Sequence, residues 1–430
     1  MRRASKWLLA LVLTLLGAWA YEGLGGPLVE GLLRACAGPA GDGVELWRVE
    51  PIYRVLSQRL FLRAAALAWT VPAFLWIFSR MRRRPRGQGP AKLLFSGYLC
   101  VFLWCSMELL LAPFLIRPLD LYNFYFVLDV DHRPPPSHRG IGTNADGLRV
   151  PFERDEVSGA SFNLLFAGDS YTFGFRVEAD EAFPALVQGM LASRRPDLDP
   201  RAVNLGWTSS SPLLGLRLLE DVGDGYHPDL LIYCLDMTDF HDDIKYDNML
   251  RRRGIYRWYD KIPITLRLFK RLWPSAFEAL YRHSNDNLPE ERFFHSEQPL
   301  AASRPFLEPA LENLRRLEAW AGGRGIPFVV VVFPRSYQYS SRESPRNREA
   351  EFYTVLGSYS LEPFRFFEEL GARERFPIVS LLGAFQETDV FPTCFEDDPH
   401  WNAAGHRVAA DAIVTALAAG GFLPAAPEAP

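Results

Sequence analysis

Two stretches far apart in the chain carry side chains that can do chemistry together. The first is Gly168-Asp169-Ser170-Tyr171-Thr172-Phe173-Gly174. The second is Asp397-Asp398-Pro399-His400-Trp401-Asn402-Ala403-Ala404-Gly405-His406. A serine hydroxyl becomes a nucleophile when a base takes its proton and a carboxylate orients that base. The second stretch offers both partners within one turn, with acids at 397 and 398 and an imidazole at 400. The setting of the serine agrees. Phe162-Asn163-Leu164-Leu165-Phe166-Ala167 is an apolar run of strand length, and by Glu181 a helical pattern has begun. Ser170 therefore falls where a buried strand stops and the chain turns toward a helix. Open parallel α/β sheets bind ligands at that edge. Gly168 and Gly174 permit a tight turn there. Asp and Ser also cap ordinary strand-to-helix turns, so the motif gains its weight from the second stretch.

Together, GDSYTFG and DDPHWNAAGH resemble the SGNH, or GDSL-type, hydrolase family. The resemblance implies Ser170 as nucleophile, His400 as base and Asp397 as the orienting acid. The family spacing is Asp-x-x-His, which makes Asp398 the poorer match. The middle of the pattern is partly kept. Arg201-Ala202-Val203-Asn204-Leu205-Gly206 is a short strand ending in glycine, and Gly206 matches the family's second oxyanion-hole donor, beside the Ser170 N–H. A third segment follows the strand Leu230-Leu231-Ile232-Tyr233-Cys234-Leu235 and reads Thr238-Asp239 where the family carries Asn-Asp. That change removes a side-chain amide and leaves the Thr238 hydroxyl as its replacement. The resemblance spans about residues 160 to 420. It implies ester chemistry on acylated glycans or lipids, with no cofactor. Membrane-linked polysaccharide acetylation proteins also resemble this domain, so acyl transfer to a glycan stays open beside hydrolysis. A binding module with a decayed centre stays open too.

The elements that must position these residues alternate. Strands are expected near 162–167, 201–205, 229–235, 326–333 and 377–382, and helices near 181–193, 212–222, 308–323, 361–370 and 403–418. Such alternation argues for an α/β domain with a parallel three-layer sheet. The family resemblance adds a flavodoxin-like strand order. Residues 241–305 break the rhythm as an insertion. They hold Arg251-Arg252-Arg253, Tyr256, Trp258, Tyr259 and a basic, aromatic helix candidate from Ile264 to Arg282, interrupted by Pro274. Such a segment suits an active-site cap, a rest on lipid headgroups, or a plain helical surface subdomain.

The N-terminal part reads differently. Arg2, Arg3 and Lys6 precede an apolar run from Trp7 to Tyr21, and Ala18-Trp19-Ala20 offers a signal-cleavage pattern. Further apolar runs span about Leu60 to Phe78 and Leu93 to Ile116, the last containing Glu108. Both are near the roughly 20 residues that a bilayer-crossing helix needs. Arg80, Arg82, Arg83, Arg84, Arg86 and Lys92 lie between them with no acid. Short cytoplasmic loops carry the Lys/Arg excess, so the 80–92 loop is expected inside and everything after Arg117 outside.

The domain organisation expected is therefore a membrane region at 1–117 and a connector at 118–160. An SGNH-like domain follows at 161–423, with a disordered Ala/Pro-rich tail at 424–430. The turn-rich Gly142 to Arg149 part of the connector is expected to pack on that domain. The chain has 430 residues, a net charge of −4 and five cysteines. That charge gives no nucleic-acid bias; the expected partners are an acylated glycan or lipid substrate and the lipid bilayer. The cysteines form no framework, although Cys234 and Cys394 fall near the same sheet edge. No zinc spacing and no phosphate-binding glycine loop is present.

Overall fold

The computed structural model describes residue 79 and residues 89–108, 133–134, 136–137, 141–157, 161–259, 262–371 and 373–425. Two compact units emerge, one from Met1–Asp129 with Gly254–Ser284, the other from Val130–Arg253 with Asn285–Pro430.

Within the first unit, helix α1 (Gly89–Ser106) covers part of the third apolar run. The first two apolar runs lie outside the described residues. Among the described residues, no helix is long and apolar enough to cross a membrane.

The second unit is built on a parallel sheet. Its strands are β1 (Phe162–Gly168), β2 (Pro200–Gly206), β3 (Leu230–Leu235), β4 (Phe328–Val332) and β5 (Ile378–Ser380), in the order β2-β1-β3-β4-β5. This is the flavodoxin-like order. Every residue of β1 and β3 is buried, because helices cover both faces of a parallel sheet. Successive side chains then divide between two layers. Phe162, Leu164 and Phe166 of β1 join Leu230, Ile232 and Cys234 of β3 in one core. Helices α3 (Phe183–Arg194) and α12 (Ala403–Ala419) close it with Phe183, Val187, Ile413 and Leu417. Each fully buried Leu, Ile or Phe contributes about 1.5–3 kcal/mol. The other layer holds α4 (Pro212–Val222), α5 (Asp239–Leu250) and α8 (Leu300–Gly322). The Asp243 carboxylate of α5 ties them, accepting from the Leu213 N–H at 2.8 Å and from Asn313 Nδ2 at 2.6 Å.

Helix α8 starts at Leu300, earlier than the prolines suggest, with Pro305 and Pro309 inside it. Leu300, Ser303, Leu307, Ala310, Leu311 and Leu314 are all buried at helical spacing, and this packing overrides the loss of two N–H donors. The insertion is not one body. Its first residues belong to α5, and Gly254–Ser284 belongs to the first unit as α6 (Pro263–Leu272) and α7 (Pro274–Ser284). The break falls at Pro274, which opens α7 because a proline cannot continue a helix but suits its first turn.

Within the connector, Arg149 packs on the domain as expected of its turn-rich part. The Arg149 guanidinium donates to the carbonyls of Phe173 at 3.0 Å, Gly174 at 2.5 Å and Val177 at 2.6 Å. The tail expectation needs correction at its start, since Arg195 donates to the Pro424 carbonyl at 2.9 Å; residues 426–430 lie outside the described residues.

Candidate active site

Chain reversal between β1 and β3 makes the crevice where such sheets bind ligands, and Ser170 sits at its mouth. It opens the short helix α2 (Ser170–Phe173), with Asp169 as N-cap accepting from the Tyr171 N–H at 2.9 Å. Gly174 ends the turn in the left-handed region, with φ 78°. Helix α2 lies hard against the end of β2. A Cβ on Gly206 would come within 2.3 Å of the Phe173 nitrogen, so glycine is needed there for packing.

His400 reaches this serine from the loop between Cys394 and Trp401. The Phe395 N–H donates to the His400 carbonyl at 3.1 Å, and Asn402 N-caps α12 through the Ala404 and Gly405 amides. The Glu343 carboxylate braces the loop by accepting from the amides of Thr393 at 2.7 Å and Cys394 at 3.1 Å. The imidazole lies between the rings of Tyr171 and Phe175, with centroids 4.9 and 4.8 Å away. Its Nε2 is 2.7 Å from Ser170 Oγ.

The acid at Nδ1 is Asp398, not the expected Asp397. Asp398 Oδ1 also accepts the His400 backbone N–H at 3.1 Å. That is an Asx turn, in which a side chain captures the amide two residues on. Pro399 fixes the turn, and the same oxygen then meets Nδ1. Asp397 points away, its side chain 62% exposed against 7% for Asp398, and pairs with Arg176 at 2.8 Å. Burial works against ionisation of Asp398, but the His400 hydrogen bonds and charge, with Arg348 adding to them, hold its carboxyl well below the usual range. A carboxylate at Nδ1 selects the tautomer that leaves Nε2 free to accept the serine proton.

Asp169 complements this arrangement. Burial, with the Asp236 charge adding to it and Arg335 opposing, pushes its carboxyl up to about 8. Its Oδ2 lies 3.2 Å from Ser170 Oγ. The Ser170 hydroxyl is the donor across that gap, so Asp169 is a second acceptor beside His400 Nε2, which lies closer at 2.7 Å.

The expected oxyanion donors come out differently. The Gly206 N–H is taken by Asn204 Oδ1 at 2.9 Å. The Thr238 hydroxyl donates to Asp236 Oδ2 at 2.6 Å, and the Thr238 N–H to the same oxygen at 3.0 Å. Thr238 is thus the N-cap residue of α5, shaped by Asp236 rather than turned toward Ser170. The Ser170 N–H opens α2, where the first N–H groups of a helix have no partner within it. The loop after β2 contains Ser209 in the left-handed region, with φ 59°, where a side chain is rarely tolerated.

A buried ion network lies behind the turn. Arg335, directly after β4, forks onto Asp236 at 2.8 and 2.7 Å and also pairs with Glu349. Arg292 pairs with Asp242 at 2.7 Å and with Glu349 at 3.3 Å. The Arg335 guanidinium lies 5.3 Å from the centre of the Tyr171 ring, under the serine turn. Burial opposes ionisation of Asp236, but the Arg335 charge and hydrogen bonds bring it down to about 2. The sequence pointed to neither arginine; the only signal is a charged residue at the end of each of two apolar strands. Cys234 and Cys394, buried in the same core, are free thiols. Among the described residues, no cluster of His, Cys, Asp and Glu is arranged to hold a metal.

No family profile matches the chain, and no curated protein matches it. Among solved structures it is similar to an alpha/beta hydrolase enzyme from the metagenome of Lake Arreo, Spain, at 17% identity and TM-score 0.35, covering 62% of this chain and 98% of that one. An SGNH-hydrolase family esterase follows at 20% identity and TM-score 0.29, covering 62% and 100%. A mutant of an acetyl-xylooligosaccharide esterase from Geobacillus is similar at 16% identity and TM-score 0.32, covering 60% and 94%. At such identities and scores the site stands on its own geometry.

Proposed function

We propose that the second unit is a serine esterase of the SGNH type. The observation that carries this reading is the aligned row Ser170 Oγ, His400 Nε2, His400 Nδ1, Asp398 Oδ1. Ser170 Oγ attacks an ester carbonyl while His400 Nε2 takes its proton. The tetrahedral oxyanion is met by the Ser170 N–H and by the backbone of the loop after β2. His400 returns the proton to the departing alcohol, leaving an acyl-enzyme. Water, activated by the same imidazole, releases the acid and restores the serine. Acyl esters of glycans or lipids are the proposed substrates. The apolar N-terminal runs and the arginine loop between them support a membrane-bound chain with this unit outside the cytoplasm. A sugar hydroxyl in place of water makes the same centre a transferase.

A second reading, a glycan-binding module, draws on the two expected oxyanion donors that are already occupied, Gly206 N–H and Thr238 Oγ1. Labelling of the purified chain with a fluorophosphonate, followed by peptide mapping, separates the two. The esterase reading expects adduct on Ser170 and none in Ser170→Ala. Turnover of an aryl acetate should fall by about 10⁴-fold in Asp398→Asn. It should change by no more than about fivefold in Asp397→Ala, because exposed ion pairs contribute little. An unlabelled Ser170 in folded protein favours the binding module.

A further inference from the structure

The first unit carries a surface that esterase chemistry does not use. Helices α6 and α7 meet at a corner, Leu272-Trp273-Pro274, where Leu272 and Trp273 are each 60% exposed. Leu280 on α7 and Trp258 just before α6 are exposed as well. Helix α6 reads Pro-Ile-Thr-Leu-Arg-Leu-Phe-Lys-Arg-Leu, with three cations and no acid. Residues 254–284 hold six Lys/Arg (257, 261, 267, 270, 271, 282) against two acids (260, 278), in a chain whose total charge is −4.

The start of α6 is joined to the third apolar run. The buried Glu108 carboxylate accepts from the Ile264 N–H at 2.9 Å, the Thr265 N–H at 2.6 Å and the Thr265 hydroxyl. Trp104 Nε1 donates to Thr265 Oγ1 at 2.7 Å. An acid in an apolar run is costly unless partnered, and here its partners are the free amides of a helix start. Helix α1 in turn exposes Leu93, Val101, Leu103 and Trp104. One unit therefore presents an uncovered apolar helix and, fixed to its far end, a corner of tryptophan and leucine ringed by cations. Amphipathic segments with Trp and Leu on one side and Lys and Arg beside them lie in the headgroup layer of anionic bilayers, where the cations meet lipid phosphates and the rings sit at the interface.

We infer that the α6–α7 corner is a lipid-contacting element that seats in the headgroup layer of an anionic bilayer, with Leu272 and Trp273 in the interface and Lys270 and Arg271 on the phosphates. The inference rests on the membrane-bound reading for its setting, but not on the catalytic one. The test uses the full chain with Cys36, Cys100 and Cys105 replaced by serine and one new exposed cysteine, Leu272→Cys or, as control, Gln386→Cys, labelled with the fluorophore NBD. The label at 272 should shift to the blue and be quenched by headgroup-region doxyl lipid in vesicles of mixed phosphatidylglycerol and phosphatidylcholine. The label at 386 should not. Lys270→Glu with Arg271→Glu should remove the dependence on phosphatidylglycerol. A label at 272 as wet and unquenched as the one at 386 would overturn the inference. Alkaline carbonate extraction tests the anchoring separately. Extraction with a shifted 272 label keeps the corner and rejects the spanning runs; retention with a wet 272 label does the reverse.

Discussion

Asp397 and Asp398 are chemically the same side chain, and the sequence gives no propensity that separates them. The difference is made by one turn. Asp398 captures the His400 amide two residues on, and that capture swings its carboxylate onto Nδ1. The Asp-x-x-His spacing that the resemblance implies favours the acid three residues back; an Asx turn selects the acid two back. Ser170 and His400 were legible because a strand end and a helix start dictate where each must sit. Gly206 was legible as necessary, but for packing against α2 rather than for its N–H. Asp169 gives this scale its prediction. Burial lifts its folded value to about 8, whereas an unfolded Asp ionises near about 3.9. The folded chain therefore holds a proton that the unfolded chain has lost. The stabilisation is complete below about pH 4 and disappears as the pH rises toward 8. Asp243, lifted to about 6 by burial, acts in the same sense. Asp398, held down, acts in the opposite sense, and its contribution is lost only in acid. Burial pushes His295 and His406 down to about 3, and they add stability with rising pH only up to about 6.5, so the melting temperature should decline between about pH 6.5 and pH 8. Asp169→Asn keeps the N-cap acceptor and should flatten that decline. An unchanged slope in the variant would mean that Asp169 is ionised in the folded protein.

At the scale of elements, the parallel α/β class was legible because strand-length apolar runs alternate with helical patterns, whereas the strand order was legible only as what the family resemblance implies. Helix α8 runs from Leu300 rather than from about 308, because leucines buried at helical spacing carry it through Pro305 and Pro309. What the sequence hides is pairing across neighbouring strands. Asp236 directly follows β3 and Arg335 follows β4, and only the adjacency of the two strands in the sheet makes them one buried fork. That fork does mechanical work. It shapes the turn that caps α5 through Thr238, and through Glu349 it joins the loop beyond α9 (Ser336–Tyr339). Arg335→Met should leave the buried Asp236 carboxylate without its cation, while Glu349 keeps Arg292, at a cost of about 3–5 kcal/mol. For a unit of this size that is a fall in melting temperature of roughly 10 °C. Adding Asp236→Asn should recover part of the loss, because the penalty comes from an uncompensated charge rather than from a missing contact. Calorimetry of the two variants checks this; equal melting points for the single and double variants would show that Asp236 is not the group left stranded.

At the scale of the whole molecule, function turns on which side of a membrane the serine faces. The proposal on that point rests on the charge pattern. Six cations crowd residues 80–92 with no acid among them, whereas residues 22–59 carry Glu22, Glu30, Asp42, Glu45 and Glu50 with only a few arginines. A short loop rich in Lys and Arg stays in the cytoplasm. On the proposed topology the next apolar run crosses outward; its Glu108 meets the start of α6. On this arrangement the sheet, the Ser170–His400–Asp398 row and the cationic corner of α6 and α7 all follow the outward crossing. On that proposal they would meet acylated extracellular glycans and the outer lipid headgroups. Alkaline phosphatase fused after residue 88 should therefore be inactive, and the same enzyme fused after residue 425 should be active, since it matures only outside the cytoplasm. Replacing Arg80, Arg82, Arg83, Arg84 and Arg86 by glutamine should weaken that contrast, because the retention signal is the charge itself. If the fusion after 88 were active and the one after 425 inactive, the esterase would face the cytoplasm. Its substrates would then be sought among intracellular acyl esters, with the chemistry at Ser170 unchanged.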